Sequence, residues 1–136
     1  HIGIANDIEL TNESLNNLHY KEKKNKFNAP DFNFDEVVTT PAGAVHLAFN
    51  KINKLQGINF KTGVSEIWGL QYHPEITYKK MIDIIKFRSD ALITTRNIFK
   101  NTNEVKKHIN YIEDEIEISD KNSRMLELRN WLNLIN

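Results

Sequence analysis

The chain has 136 residues, enough for one domain with a real core, and its 18 basic and 18 acidic side chains cancel, which removes any charge-based argument for a nucleic-acid or anionic-membrane partner. No apolar run approaches the roughly 20 residues of a membrane span, and residues 1–10 have neither the basic start nor the apolar stretch of a signal peptide, so a soluble cytoplasmic protein is expected. There is no cysteine, which excludes disulfides, thiolate-ligated metals and a thiol nucleophile carried by these residues.

Residues 1–11 predict a strand that enters through Ile2-Gly3-Ile4-Ala5. Residues 12–31 are polar and read as a loop. The lysine cluster at 21–26 admits a basic binding patch, but Glu22 and the neighbouring asparagines make a solvated surface the better reading. Short strands are expected over 34–40 and 44–49, separated by Pro41-Ala42-Gly43, and over 55–60 and 64–72, joined by a tight turn at Lys61-Thr62-Gly63. Thr77 is a natural N-cap, and Tyr78, Met81, Ile82, Ile85 and Leu92 recur at helical spacing after it. Val105, Ile109, Ile112 and Ile116 mark a second helix over about 103–118. Met125, Leu128, Leu132 and Ile135 mark a third, with Ser119 or Asp120 as its N-cap and both apolar stripes used in packing. Trp68 and Trp131 are expected as core anchors.

The run Trp68-Gly69-Leu70-Gln71-Tyr72-His73-Pro74-Glu75 carries the chemistry. Its bulky residues read as a buried strand, and Pro74 stops that strand because it has no N–H to donate and biases His73 toward extended backbone. An imidazole and a carboxylate at the carboxyl end of a strand can serve as a general base and the group that orients it. The same two residues also fit a surface histidine and an acid placed near a helix N-terminus. His-x-Glu opens the zinc deaminase pattern too, but that pattern needs Pro-Cys-x-x-Cys, which is absent from this sequence. His19, His46 and His108 have no ligand spacing, Glu113-Asp114-Glu115 reads as a solvated helix face, and no Gly-rich phosphate loop is present. No metal site is expected.

Gly69-Leu70-Gln71-Tyr72-His73-Pro74-Glu75 resembles the Gly-x-Gln-aromatic-His-Pro-Glu segment of class I glutamine amidotransferases. Shorter pieces follow the order of a subgroup similar to the GMP synthetase amidotransferase. These are Ile2-Gly3-Ile4-Ala5 with Ile8-Glu9-Leu10-Thr11, then Asp35-Glu36-Val37, Leu47-Ala48-Phe49-Asn50, and a tail with Arg124, Glu127, Asn130 and Trp131. Phe32-Asn33 departs from the Ser-His that the family commonly places there. The resemblance implies an α/β fold: the C-terminal part of a flavodoxin-like, mainly parallel sheet with antiparallel additions over residues 1–95, followed by a two-helix tail over 96–136.

It also implies glutamine as substrate, His73 as base and Glu75 as its orienting acid, with the cysteine nucleophile upstream in a longer protein. Asn33, Phe34 and Asp35 would border the glutamine pocket, no cofactor would be needed, and a synthetase domain or subunit could receive the ammonia. A related γ-glutamyl hydrolase and a non-catalytic binding or regulatory relative are the alternatives.

Overall fold

The computed structural model describes residues 1–118 and 121–135. Strands β1 (Ala5–Leu10), β2 (Lys26–Ala29), β3 (Val45–Phe49), β4 (Gly57–Thr62) and β5 (Ser65–Leu70) form a five-stranded sheet in the order β2-β1-β3-β4-β5, with β3 at its centre. Every pairing among these strands is antiparallel. The fold is α/β as expected, but the mainly parallel sheet is not formed by the described residues. Short connections explain part of this, since parallel neighbours need a crossover of a dozen or more residues, whereas β4 and β5 join through two and β3 and β4 through residues 50–56. Gly63 opens that turn with φ +58°, and Thr62 pairs with Ser65 across it, as a two-residue hairpin with a left-handed first position requires. The turn is therefore Gly63-Val64, one residue later than the sequence suggested.

Three other expectations change. Within the presumed loop at 12–31 the chain forms two 3-10 turns, Asn12–Asn16 and Leu18–Tyr20, and then β2. Residues 34–40 form no strand, and Val37 and Val38 stay exposed without a ladder to join. The run ending at Tyr72 is not a buried interior strand: β5 is an edge, Ile67 is exposed, and only Tyr72, beyond its end, is fully enclosed.

Helix α1 (Tyr78–Thr94) begins as predicted, with the Thr77 side chain accepting from the Lys80 amide at 3.1 Å. Helix α2 (Thr102–Ile118) packs on it, and Tyr78, Ile82, Ile85, Leu92, Val105, Ile109 and Ile112 close around Ile4. Gly3 lets them approach. Its φ is +86°, and a Cβ there would meet the side chains of Ile112 at 2.5 Å and Ile85 at 2.7 Å. A second core of Ala5, Ile8, Tyr20, Ala29, Leu47, Ala48 and Tyr72 lies against the sheet. None of the described helices is long and apolar enough to cross a membrane.

The expected third helix is two pieces, α3 (Lys121–Arg124) and α4 (Leu126–Ile135), interrupted at Met125. Its suggested caps, Ser119 and Asp120, lie outside the described residues. The apolar stripe does not account for its seat, because Leu132, Ile135 and Trp131 remain exposed. Polar groups hold it instead. Asn130 donates to the carbonyls of His19 and Lys21, both at 2.9 Å. The Lys23 and Glu127 side chains, 3% and 0% exposed, form an ion pair at 2.8 Å, and Lys23 also donates to Ser123 O at 2.8 Å. Tyr72 donates to Glu127 at 2.7 Å, which leaves Tyr20 as donor to Tyr72 at 3.1 Å. Lys23 is thus a core residue of the network and not part of a solvated lysine surface.

Removing one member of a buried pair leaves the other charge without compensation. Glu127→Ala is expected to lower the unfolding free energy by about 3–5 kcal/mol, measured by urea denaturation. A loss below about 1 kcal/mol would show that the pair is solvated in solution.

Candidate functional site

The segment after β5 that carries His73 is led to its position by backbone pairing. Gln71 N–H donates to Gln56 O at 3.0 Å, and His73 N–H donates to Pro30 O at 2.7 Å. The partner segment is itself laid along the start of the chain, through the Ile2–Phe32 bridge and the bond from Asp31 N–H to Gly3 O at 3.4 Å. Residues 30–33 and His73 therefore meet beyond one end of the sheet.

His73-Pro74-Glu75-Ile76 is a β-turn closed by Ile76 N–H donating to His73 O at 3.1 Å. Pro74 stands at the second position, where its fixed φ suits the turn. The turn folds Glu75 back so that its Oε1 lies 2.8 Å from His73 Nδ1. An ionised carboxylate only accepts, so this contact places the ring proton on Nδ1 and the lone pair on Nε2. With 38% and 52% of the two side chains exposed, the pair contributes little to stability. Its consequence is orientation: one imidazole tautomer, in one pose, with a basic nitrogen directed away from the acid.

Asp31 is a site residue that the sequence did not single out. It is completely buried, Asn33 Nδ2 donates to its Oδ1 at 2.5 Å, and its Oδ2 has no hydrogen-bond partner among the described residues. Burial pushes its pKa up to about 6, against a smaller pull downward from nearby positive charge that includes His73. In sequence it is one acid among several, and only the fold shows that it lies near enough to His73 to feel its charge. Gln56, also fully buried, has its Oε1 unpaired among the described residues.

The expected pocket residues separate. Asn33 joins the His73 end of the sheet through Asp31. Phe34 packs edge-on against Phe32, at 5.7 Å between centroids, and lies 4.5 Å beneath the Arg96 guanidinium. Asp35 is exposed in the loop that follows. Elsewhere, His19 stacks on Trp68 at 4.4 Å, with its pKa lowered by burial against a smaller opposing effect of Glu66. His46 is exposed on β3, and His108 contacts Ile2 O through Nε2 at 2.6 Å. Among the described residues, no three His, Cys, Asp or Glu side chains converge as a metal site would require.

No family model matches the sequence, and no solved structure matches it. Among curated proteins the chain is similar to gamma-glutamyl-L-1-hydroxyisopropylamide hydrolase of a Pseudomonas species, with 28% identity over 144 aligned residues. The alignment covers 94% of this chain and 48% of the relative, so the chain spans about half of that protein's length.

The raised Asp31 pKa makes a pH prediction. Between the ordinary value of 3.8 and about 6, the unfolded chain gives up this proton before the folded one does, so stability falls as pH rises through that window. Urea midpoints taken at pH 4, 5, 6 and 7 should show wild type losing on the order of 2–3 kcal/mol relative to Asp31→Asn. Parallel curves for the two proteins would mean that Asp31 ionises normally.

Proposed function

We propose that this chain supplies the base half of a γ-glutamyl amide hydrolase of the class I glutamine amidotransferase type. The observation that carries the proposal is the His73–Glu75 contact at 2.8 Å, built into a proline turn at a strand end. Two facts support it: the Gly-x-Gln-aromatic-His-Pro-Glu pattern, and a relative whose name denotes hydrolysis of a γ-glutamyl amide. Of the two reactions that such a triad performs, hydrolysis has that support. Transfer of ammonia to a synthetase partner of the GMP synthetase kind has no comparable observation behind it.

In this reading a cysteine thiol from outside the present sequence gives its proton to His73 Nε2, and the thiolate adds to the γ-carbonyl of the substrate. Collapse of the tetrahedral adduct breaks the C–N bond. The imidazolium returns the proton to the departing amine, leaving a γ-glutamyl thioester. Water, deprotonated by the same nitrogen, then releases glutamate and restores the thiol. Glu75 keeps the imidazole in the Nδ1–H tautomer and stabilises it when charged. Of the expected rim at Asn33, Phe34 and Asp35, Asn33 is the residue joined to the His73 end, and it forms part of the surface that receives the glutamyl group. The cycle requires no metal or organic cofactor.

The test is amine release from glutamine and from N-substituted γ-glutamyl amides by the full-length protein. His73→Ala should reduce kcat by roughly 10³-fold or more, and Glu75→Gln by roughly 10-fold or more with the fold retained. Turnover close to wild type in His73→Ala would remove the base assignment. A wild-type protein inert toward every γ-glutamyl amide would leave the non-catalytic alternative.

A further inference from the structure

The turn that presents His73 and Glu75 is gripped from the far end of the chain. Arg124, the last residue of α3, donates through Nη1 to Pro74 O and, at 3.0 Å, to Ile76 O. Those carbonyls flank Glu75 on either side, at the second and fourth positions of the turn. Arg124 is partly buried there, and its own segment is fixed close by: Lys23 bonds Ser123 O and Glu127, while Glu127 accepts from Tyr72, the residue before His73. A β-turn closed by one backbone bond has freedom to open and to rotate its central peptide. A guanidinium bound to the carbonyls before and after Glu75 removes that freedom. With Tyr72 anchored on one side and Pro74 and Ile76 held on the other, the Glu75 carboxylate stays within reach of Nδ1.

We propose that Arg124 is a positioning residue for the hydrolase site, acting on His73 only through the geometry of the turn that carries Glu75. This rests on the assignment of His73 as base made above. The segment at 121–135 is then a working part of the site as well as a cap on the sheet. Lysine cannot replace arginine fully, because an ammonium is a compact donor on a flexible stem, while the guanidinium is a rigid planar fork. The effect should fall on kcat, since the proposed substrate contact at Asn33 is on another segment, and small displacements of catalytic groups are costly.

The experiment uses the full-length protein with two readouts. The first is the tautomer of His73, read from long-range 1H–15N correlations of the imidazole, which needs no activity. Wild type should show Nδ1–H. Arg124→Ala should move His73 toward the Nε2–H form that an unguided imidazole favours, and Arg124→Lys should fall between. The second readout is kinetic. Arg124→Ala should lower kcat by about 10- to 100-fold with KM within about twofold, and in a Glu75→Gln background the same substitution should cost less than about threefold.

An unchanged tautomer in Arg124→Ala, or an equal loss of kcat with and without Glu75, would overturn the positioning role. If Arg124→Ala does not fold, Arg124→Lys carries both measurements, and a wild-type tautomer with wild-type kcat in that variant would overturn it equally. A protein without hydrolase activity refutes the proposed reaction, while the tautomer still decides whether Arg124 sets the turn.

Discussion

Glu127 is fully buried and carries the charge on which the architecture turns. A carboxylate withdrawn from water is tolerated only when its oxygens are satisfied, and here Lys23 and Tyr72 satisfy them. Lys23 comes from the stretch before β2, Tyr72 from the end of β5, and Glu127 from α4, so one network ties three distant parts of the chain to a single point. The cost of burying Lys23 appears in its pKa, which burial lowers against the opposing attraction of Glu127. Burial likewise drives the Tyr72 hydroxyl well above its ordinary value, so it remains a donor at any physiological pH. A network of this kind specifies register more than it adds stability, because a shift of α4 by one residue would leave both charges unpaired.

The candidate site inherits that register. The His73–Glu75 contact is local, made by residues two apart in a proline turn, and such a turn forms from sequence alone. What the turn lacks by itself is permanence, given an exposed pair that contributes little free energy. The long-range bonds from Arg124, together with the anchoring of Tyr72, supply it. Asp31 adds a different kind of constraint. Enclosed near the same imidazole with one oxygen unpaired among the described residues, it resists ionisation until about pH 6, because burial penalises its charged form.

What could be read from the sequence follows from how local each cause is. Thr77 capping α1, the α1 and α2 stripes, and the β4–β5 hairpin depend on neighbours a few residues away, and all are found nearly where expected. Strand β2 escaped notice because Lys26-Phe27-Asn28-Ala29 has no alternating apolar pattern. It is a strand because β1 offers it a ladder, and Phe27 packs edge-on against Tyr72. Residues 34–40 fail for the opposite reason: β-branched side chains favour a strand, but Val37 and Val38 find no partner among the described residues. Lys23 resembled its solvated neighbours because its partner lies 104 residues away. The parallel sheet was inferred from a family resemblance and not from these residues, whose short β3–β4 and β4–β5 connections leave no room for a crossover.

The same division between local and distant causes bears on function. The motif around His73 suggests the proposed chemistry because triad chemistry constrains a few adjacent residue types, and Pro74 and Glu75 suit one another in the turn they make. Nothing of that sort marks Arg124. An arginine near a chain's end carries no signal until the fold shows its guanidinium on the carbonyls of Pro74 and Ile76. Residues that perform a step can be recognised from their type and spacing, whereas residues that hold them in place are recognised from what they touch. In the proposed site, a base whose orienting acid is half exposed depends on that second group, because solvent otherwise competes for each of its hydrogen bonds.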